Sequence, residues 1–490
     1  MEFLAHSTVG KSRSGAIAFL AFFILSSIGI TFSSFYNNAD VDFGRIIYVI
    51  LFMNVCVLPN FFMNKTRGRY ILLAVFMPIY FLLFGLGELS EVLGLDRKAY
   101  TETEDVTSKV DLIIWTGLFM YIIGYLTCIN IGSSRQRGWY YNDWDPRKIK
   151  LAGVSCWLIG SAAFILIFFF LEEGKKIAWL PLSIISNFKN LALMGHLMII
   201  YLYISYKDKS TLAVMLAMFT FDFFLGFAAN TKEVSFIPPV LYLLLSFLAT
   251  GRVKKLYTVL LVLLMVGYLS LFNTYRLFVI QIPNQTPKQA MQDLPKTIAS
   301  IFHNIHTKHV DNQQRNASYL KERIETRKYI KILVSGIDSG KVKTQDGYTL
   351  GLFFWSWVPR AFYADKPATE IGQLFNWEFK VSASKLTYVP ATHLGEFYWN
   401  FEMTGVIVGM LLVGALMAYI SKMADPSIKV TLPRVIVLLM TIYMVIVRFE
   451  ADCAQQYAGL GRVLLIIWFL DLVLRKKRSR LGSTNQLPGK

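Results

Sequence analysis

The chain has 490 residues, of which 54% are hydrophobic and 17% are charged. Soluble proteins are about one-quarter charged, so this composition excludes an ordinary soluble globular domain. The net charge of +18 does not by itself indicate a nucleic-acid-binding protein, because Lys and Arg also accumulate in the cytoplasmic loops of membrane proteins. The four cysteines form no CxxC pair, which argues against a disulfide framework or a thiolate zinc site.

Apolar runs long enough to cross a bilayer recur along the whole sequence. A membrane-spanning helix needs about 20 mostly apolar residues, and twelve such runs are present. We therefore predict an all-α polytopic membrane protein with about twelve transmembrane helices. The runs lie at residues 15–35, 46–63, 70–93, 112–131, 151–171, 186–205, 211–229, 234–250, 256–280, 402–420, 432–449 and 460–475.

The short loops between these runs alternate in charge. Loops such as 65–69, 135–150 and 252–255 are rich in Lys and Arg, and both termini of the chain share this character. The loop at 102–111 represents the other set, which is acidic or balanced. Because Lys/Arg-rich short loops stay in the cytoplasm, the alternation predicts a multi-pass bacterial inner-membrane protein with both termini cytoplasmic.

One polar segment, residues 281–399, is much longer than any other connection, and the alternation places it outside. Residues 281–395 contain fifteen Lys/Arg and nine Asp/Glu, and loops this long escape the positive-inside rule. The basic stretch 318–332 is either a solvated amphipathic helix or a cationic surface that faces an anionic ligand. The chain thus divides into spans one to nine (1–280), a periplasmic loop with amphipathic helices (281–399), and spans ten to twelve with a basic cytoplasmic tail (400–490).

Several ionisable residues lie at the predicted outer ends of the spans. Such residues are costly at a membrane boundary and often functional, although each one alone is also typical of a snorkelling interfacial anchor. The cationic residues among them lie on the same side of the membrane as the basic loop and form a candidate site for phosphate. The planar guanidinium of arginine can donate two hydrogen bonds to phosphate oxygens. The residues are Lys232, Glu233, Arg276, Arg448, Glu450 and Arg462.

Two motifs lie in the last part of the long loop. The first combines Val358-Pro359-Arg360 with Asp365-Lys366-Pro367, and the second is Gly395-Glu396-Phe397-Tyr398-Trp399-Asn400-Phe401. Both resemble motifs in the late outer loop of the Wzy-type oligosaccharide repeat-unit polymerases, also called O-antigen polymerases. The sequence departs from that pattern at Glu402, where the family usually has glycine.

The resemblance implies a membrane glycosyltransferase, and no cofactor or metal ion is expected. Its substrates would be oligosaccharide repeats on undecaprenyl diphosphate, and the growing chain would move onto the next lipid-linked repeat at the periplasmic face. The departing diphosphate gathers negative charge, so fixed cations aimed at it would lower the barrier. The candidate diphosphate-binding residues are Arg360, Lys366, Arg276, Lys232, Arg448 and Arg462.

The same reaction needs a general base that takes the proton of the attacking hydroxyl. Glu396 is the first candidate, because a carboxylate at the head of a span can be desolvated and become more basic. His393 is the second, since it lies three residues earlier and shares roughly the same face if the segment is helical. Tyr398, Trp399, Asn400 and Glu450 are candidate sugar-binding residues, although interfacial anchoring explains Tyr398 and Trp399 equally well.

Two other functions stay open at this point. An O-antigen ligase has a related outer loop with a histidine, and it would transfer the glycan to a lipid A core. A transporter or flippase of the lipid-linked sugars would place its cations between two repeated halves, and the sequence gives no sign of such halves. The expected partners are the lipid-linked oligosaccharide, the bilayer and, by resemblance alone, a chain-length regulator. No nucleic-acid partner is expected.

Overall fold

The computed structural model describes most of the chain from residue 12 to residue 476. The ranges are 12–37, 43–62, 69–93, 104–131, 142–170, 185, 188–229, 231–250, 259, 263, 326–359, 362–363, 365–369, 371–382, 388–389, 391–425 and 431–476. The predicted ninth span lies outside the described residues except for Val259 and Leu263. Arg276, Arg360 and the side chain of Lys232 lie outside them as well.

Regular structure in the described ranges is helical, with no β-strand. Apolar runs of about 20 residues give the long helices, and the polar segment gives three short ones. A π-helix at Ile442–Val447 continues the fourteenth helix. The helices are α1 (Ser12–Asn37), α2 (Phe43–Phe62), α3 (Ile71–Phe84), α4 (Leu86–Val92), α5 (Glu104–Asn130), α6 (Pro146–Phe170), α7 (Asn190–Tyr206), α8 (Lys209–Ala228), α9 (Lys232–Thr250), α10 (Arg327–Asp338), α11 (Tyr348–Trp357), α12 (Ile371–Phe379), α13 (Thr392–Met423), α14 (Leu432–Thr441) and α15 (Cys453–Leu474).

Seven of the described helices are long and apolar enough to cross a membrane. The pair α3 and α4, bent by 52°, makes an eighth if it is one span, and three further helices are apolar but shorter. Side chains on their outer surfaces are apolar too: Phe32 is 71% exposed and Leu151 is 73% exposed, as expected where a helix meets lipid. The structure therefore confirms an all-α, membrane-embedded protein.

Glycines bring the longest helices into close backbone contact. A Cβ at Gly124 of α5 would overlap the carbonyl of Leu411 in α13, and one at Gly414 would overlap the carbonyl of Tyr121. Small residues at such crossings allow helices to pack tightly in lipid, where no hydrophobic force drives them together. The pair α5 and α13 is thus the tightly packed unit that carries the second motif.

The two ends of α5 identify the two ends of the helical bundle. At its C-terminal end, Arg69 and Lys422 both donate hydrogen bonds to backbone carbonyls. Near its N-terminal end, Lys109 forms an ion pair with Asp338 of the polar segment (2.7 Å). Arg69 and Lys422, which belong to two of the basic short loops, and the described part of the polar segment therefore lie at opposite ends of α5. We call these the basic end and the site end.

The second motif is helical, because α13 begins at Thr392 and not at residue 402, the predicted start of span ten. Helical geometry is interrupted at Phe401 and Glu402, where Glu402 has φ 49° and ψ −139°. A side chain is strained in this region, which favours glycine, and this is the position where the sequence departs from the polymerase pattern. Beyond the break the chain folds back closely, since a Cβ at Gly405 would overlap the carbonyl of Phe397.

Candidate active site

The first turns of α13, residues 392–400, are buried at the site end of the bundle. Their leading N–H groups are satisfied by the backbone of another segment, since Thr392 donates to the carbonyl of Glu450 (3.1 Å) and His393 to that of Phe449 (3.3 Å). Unpaired N–H groups at a helix start need such acceptors. The chain between the π-helix and α15 thus holds the second motif in place.

Glu396 lies at the centre of a buried polar cluster. Its side chain is fully buried, and Oε2 accepts a hydrogen bond from the backbone N–H of Cys453 (2.8 Å). Because Cys453 is the first residue of α15, the carboxylate lies at a helix N-terminus, where the helix dipole stabilises an anion. The preceding Asp452 accepts from the N–H of Ile371 (3.1 Å). Two carboxylates from separate elements therefore share one cluster.

Asn400 extends this cluster one helical turn beyond Glu396. Its Nδ2 donates to the hydroxyl of Thr349 (2.6 Å) and to the carbonyl of Glu396 (2.7 Å). Thr349 belongs to the first turn of α11, the helix that leads into the first motif. Asn400 thus ties the first motif's helix to the second motif through a side-chain contact inside the protein.

His393 is buried beside Glu396, but its surroundings are different. The centre of its ring lies 4.2 Å from that of Phe449 and 5.5 Å from that of Tyr457. A general base is commonly oriented by a hydrogen-bond partner. The aromatic rings beside His393 orient it less than the Cys453 N–H orients Glu396.

Two of the predicted cations bind the turn that ends α11. Lys366 is 8% exposed and donates to the carbonyl of Val358 (2.9 Å). Arg462, from α15, donates to the carbonyl of Ser356 (3.1 Å). Both side chains therefore fix the backbone immediately before Arg360, and Lys366 is buried where it makes this contact.

Arg448 belongs to a second group of charges. Its guanidinium contacts the carboxylate of Glu233 and the hydroxyl of Tyr443 (2.6 Å), which ties the π-helix to the start of α9. Glu450 meets α13 through its backbone carbonyl. The predicted diphosphate-binding cations whose side chains the structure describes therefore lie in two places. Lys366 and Arg462 are at the end of α11, and Arg448 is at the start of α9.

Tyr398 and Trp399 are core residues, 1% and 0% exposed. The indole of Trp399 packs against the rings of Phe375 and Phe379, and its N–H donates to the carbonyl of Lys343 (3.2 Å). The protein thus covers both side chains that were predicted to present ring faces to a sugar or to the membrane interface. The contacts of Trp399 fasten α12 and the turn that contains Lys343 to α13.

Sequence reasoning missed a buried ion triad at the start of α10. Arg327, 3% exposed at its side chain, lies 3.1 Å from Glu88 and 2.5 Å from Asp111. Burial alone would lower the pKa of the Arg327 guanidinium, but attraction to the two carboxylates holds that pKa above its ordinary value. Glu88 inside the apolar run 70–93 was the available signal, because a carboxylate in a span needs a partner.

A cavity of about 720 Å³ opens at the site end between α5, α10 and α12. Its walls include Val106, Lys331, Lys341, Glu378, Phe379 and Lys380. Phe379 connects the cavity to the second motif, because its ring also packs against Trp399 (5.3 Å between centres). The cavity therefore lies beside the Glu396 cluster, one aromatic layer away from α13.

Comparison with known proteins gives no match: no family model, curated protein or solved structure matches the chain. Within the described ranges, no group of three His, Cys, Asp or Glu side chains is placed to hold a metal ion. The observations that bear on function are therefore the geometry of the Glu396 cluster and the resemblance of the two motifs.

Proposed function

We propose that the protein is a membrane glycosyltransferase that polymerises oligosaccharide repeats carried on undecaprenyl diphosphate. The observation that carries this proposal is the single buried cluster at the site end. In it, Glu396 of the second motif meets the start of α15, while Asn400 joins it to α11, which leads into the first motif. Gln455, two residues after Cys453, also donates to the carbonyl of Thr369, two residues after the first motif (2.8 Å). The start of α15 therefore contacts both the second motif and the chain that follows the first, as a shared catalytic role requires.

The charge difference between the two ends of the bundle supports a periplasmic site in the bacterial inner membrane. Lys/Arg-rich short loops stay in the cytoplasm, so the basic end is cytoplasmic and the site end faces the periplasm.

In the proposed reaction, a hydroxyl of the incoming lipid-linked repeat attacks the anomeric carbon of the growing chain. The bond from that carbon to the diphosphate oxygen breaks, and undecaprenyl diphosphate leaves with the electron pair. Glu396 takes the proton from the attacking hydroxyl. The leaving diphosphate is stabilised by Arg360, which follows the turn fixed by Lys366 and Arg462, with Arg276, Lys232 and Arg448 as further candidates.

The burial of Glu396 adds one requirement to this mechanism. Because its side chain is fully buried, the attacking hydroxyl reaches it only if α11, which contacts the cluster through Thr349, moves when substrate binds. Such movements commonly exclude water from the reacting groups once substrate is in place. α11 is therefore proposed as the cover of the active site.

The test is a complementation experiment in cells that lack this protein. Wild type and two variants, Glu396→Gln and the exposed control Asp346→Asn, are expressed at equal levels, and the surface glycan is analysed on a sizing gel. We expect long polymer with wild type and Asp346→Asn, and single repeats with Glu396→Gln. A bare lipid core in the deletion strain would assign the ligase function instead, and repeats trapped in the cytoplasm would assign transport.

A further inference from the structure

The cavity at the site end has a strongly basic lining that the proposed reaction does not use. Three lysines, Lys331, Lys341 and Lys380, line it together with one carboxylate, Glu378. They come from two parts of the chain, since α10 and the turn after it supply two lysines and the residue that follows α12 supplies the third. The positive charge is therefore gathered by the fold and is not a property of one helix.

The backbone conformation at Lys380 is strained for a residue with a side chain. α12 ends at Phe379, and Lys380 follows it with φ 51°. Glycine is the usual residue at such a position, because a side chain is strained there. Strained residues that persist often mark functional sites. A lysine in place of glycine keeps an ammonium group at the cavity wall.

The remaining walls fit a sugar better than they fit a lone phosphate ion. Val106, Val342 and Phe379 give the cavity an apolar and aromatic side, against which the C–H faces of a sugar ring can pack. Glu378 can accept hydrogen bonds from the hydroxyl groups of such a ring. A Cβ at Gly336 would overlap the Phe379 ring, so glycine at 336 makes room for this wall. The volume of about 720 Å³ is typical of sites for ligands larger than one ion.

We infer that this cavity binds an acidic oligosaccharide, a glycan segment whose carboxylate groups pair with the three lysines. The inference rests on the proposed function in one respect, since it assigns the bound glycan to the substrate of the Glu396 cluster. The cavity adjoins that cluster through Phe379 and Trp399. It therefore serves as a holding site for acidic sugars of the chain while the reacting end lies at Glu396.

The test is a binding experiment with the purified full-length protein in detergent. Trigalacturonic acid is the acidic probe, maltotriose the neutral one, and inorganic pyrophosphate represents a diphosphate headgroup. The variants are Lys341→Glu and Lys380→Glu, with Lys343→Glu as the matched control, because Lys343 is exposed on the same turn but does not line the cavity. Binding is measured by isothermal titration calorimetry at low and high salt.

We expect trigalacturonic acid to bind, with an affinity reduced on the order of tenfold by each cavity variant and unchanged by Lys343→Glu. Binding should weaken as salt rises, since exposed charges are screened. Equal binding of maltotriose, displacement by pyrophosphate at lower concentration than by the uronic acid, or absence of saccharide binding would each overturn the inference. None of these results bears on the polymer ladder of Glu396→Gln, so the two proposals fail separately.

Discussion

Replacing Arg327 with methionine tests how the polar segment is fastened over the site. Arg327 is the first residue of α10, and its guanidinium is the link between this helix and the carboxylates of Glu88 and Asp111. Methionine preserves much of the side-chain volume and helix propensity, so the change removes charge and hydrogen-bonding groups more than packing. We expect α10 to detach from the bundle more often in this variant.

The magnitude follows from the burial of the three groups. Removing one partner of a buried ion pair typically costs about 3–5 kcal/mol, because the remaining charge is left without compensation. Glu88 is 6% exposed at its side chain and cannot regain water, whereas Asp111 is 28% exposed and can do so in part. We therefore expect about 3 kcal/mol, which shifts the docking equilibrium of α10 about a hundredfold.

Hydrogen–deuterium exchange of the amides in residues 328–338 measures this equilibrium directly. Exchange should accelerate about a hundredfold in Arg327→Met by the same arithmetic, and only slightly in the control Lys328→Met. The raised pKa of Arg327 means that its contribution is present below the ordinary arginine pKa, so the difference should persist from neutral to mildly alkaline pH. Adding Glu88→Gln and Asp111→Asn to Arg327→Met should slow the exchange again. Unchanged exchange in Arg327→Met, or no rescue, would refute the triad as the fastening.

Three further predictions address the backbone, the base and the topology. Glu402→Gly should raise stability by about 1 kcal/mol in a detergent melt because it relieves the positive φ, whereas Glu402→Ala should give no such gain. Glu396→Gln should impair polymer formation far more than His393→Ala on the sizing gel, and the reverse ranking would reassign the base. A reporter inserted at Gly340, where the surroundings are open, should be periplasmic and one after Lys476 cytoplasmic; the opposite pattern would invert the proposed orientation.

The sequence was sufficient to predict an all-α, membrane-embedded protein, because an apolar run of about 20 residues has few alternatives to a transmembrane helix. The predicted number of about twelve spans stays a prediction, since the described residues contain seven helices long enough to cross a membrane, or eight with the bent pair. No break within α13 was predicted. The departure from the polymerase motif at Glu402 coincides with the positive φ there, so a residue in a position suited to glycine was visible before the backbone was known.

The partners of the charged residues could not be predicted, because they depend on long-range packing. Arg327 belongs to a stretch that reads as a solvated or ligand-facing helix, yet it is buried against Glu88 and Asp111 from distant parts of the chain. The hydrogen bond that Glu396 accepts from the Cys453 N–H could not be predicted either, because every residue except proline has the same backbone N–H group. Trp399 was expected to bind a sugar or to anchor at the membrane interface, and it is buried because Phe375 and Phe379 pack against it.

The most direct test of the account is a reaction with purified components. The protein in lipid nanodiscs receives its undecaprenyl-diphosphate-linked repeat, and both the glycan length and the released undecaprenyl diphosphate are measured. The account predicts a ladder of polymer with one lipid diphosphate released per bond formed, and the loss of both with Glu396→Gln. Polymer from the Glu396→Gln variant at the wild-type rate, or no lipid diphosphate released by the wild type, would contradict it.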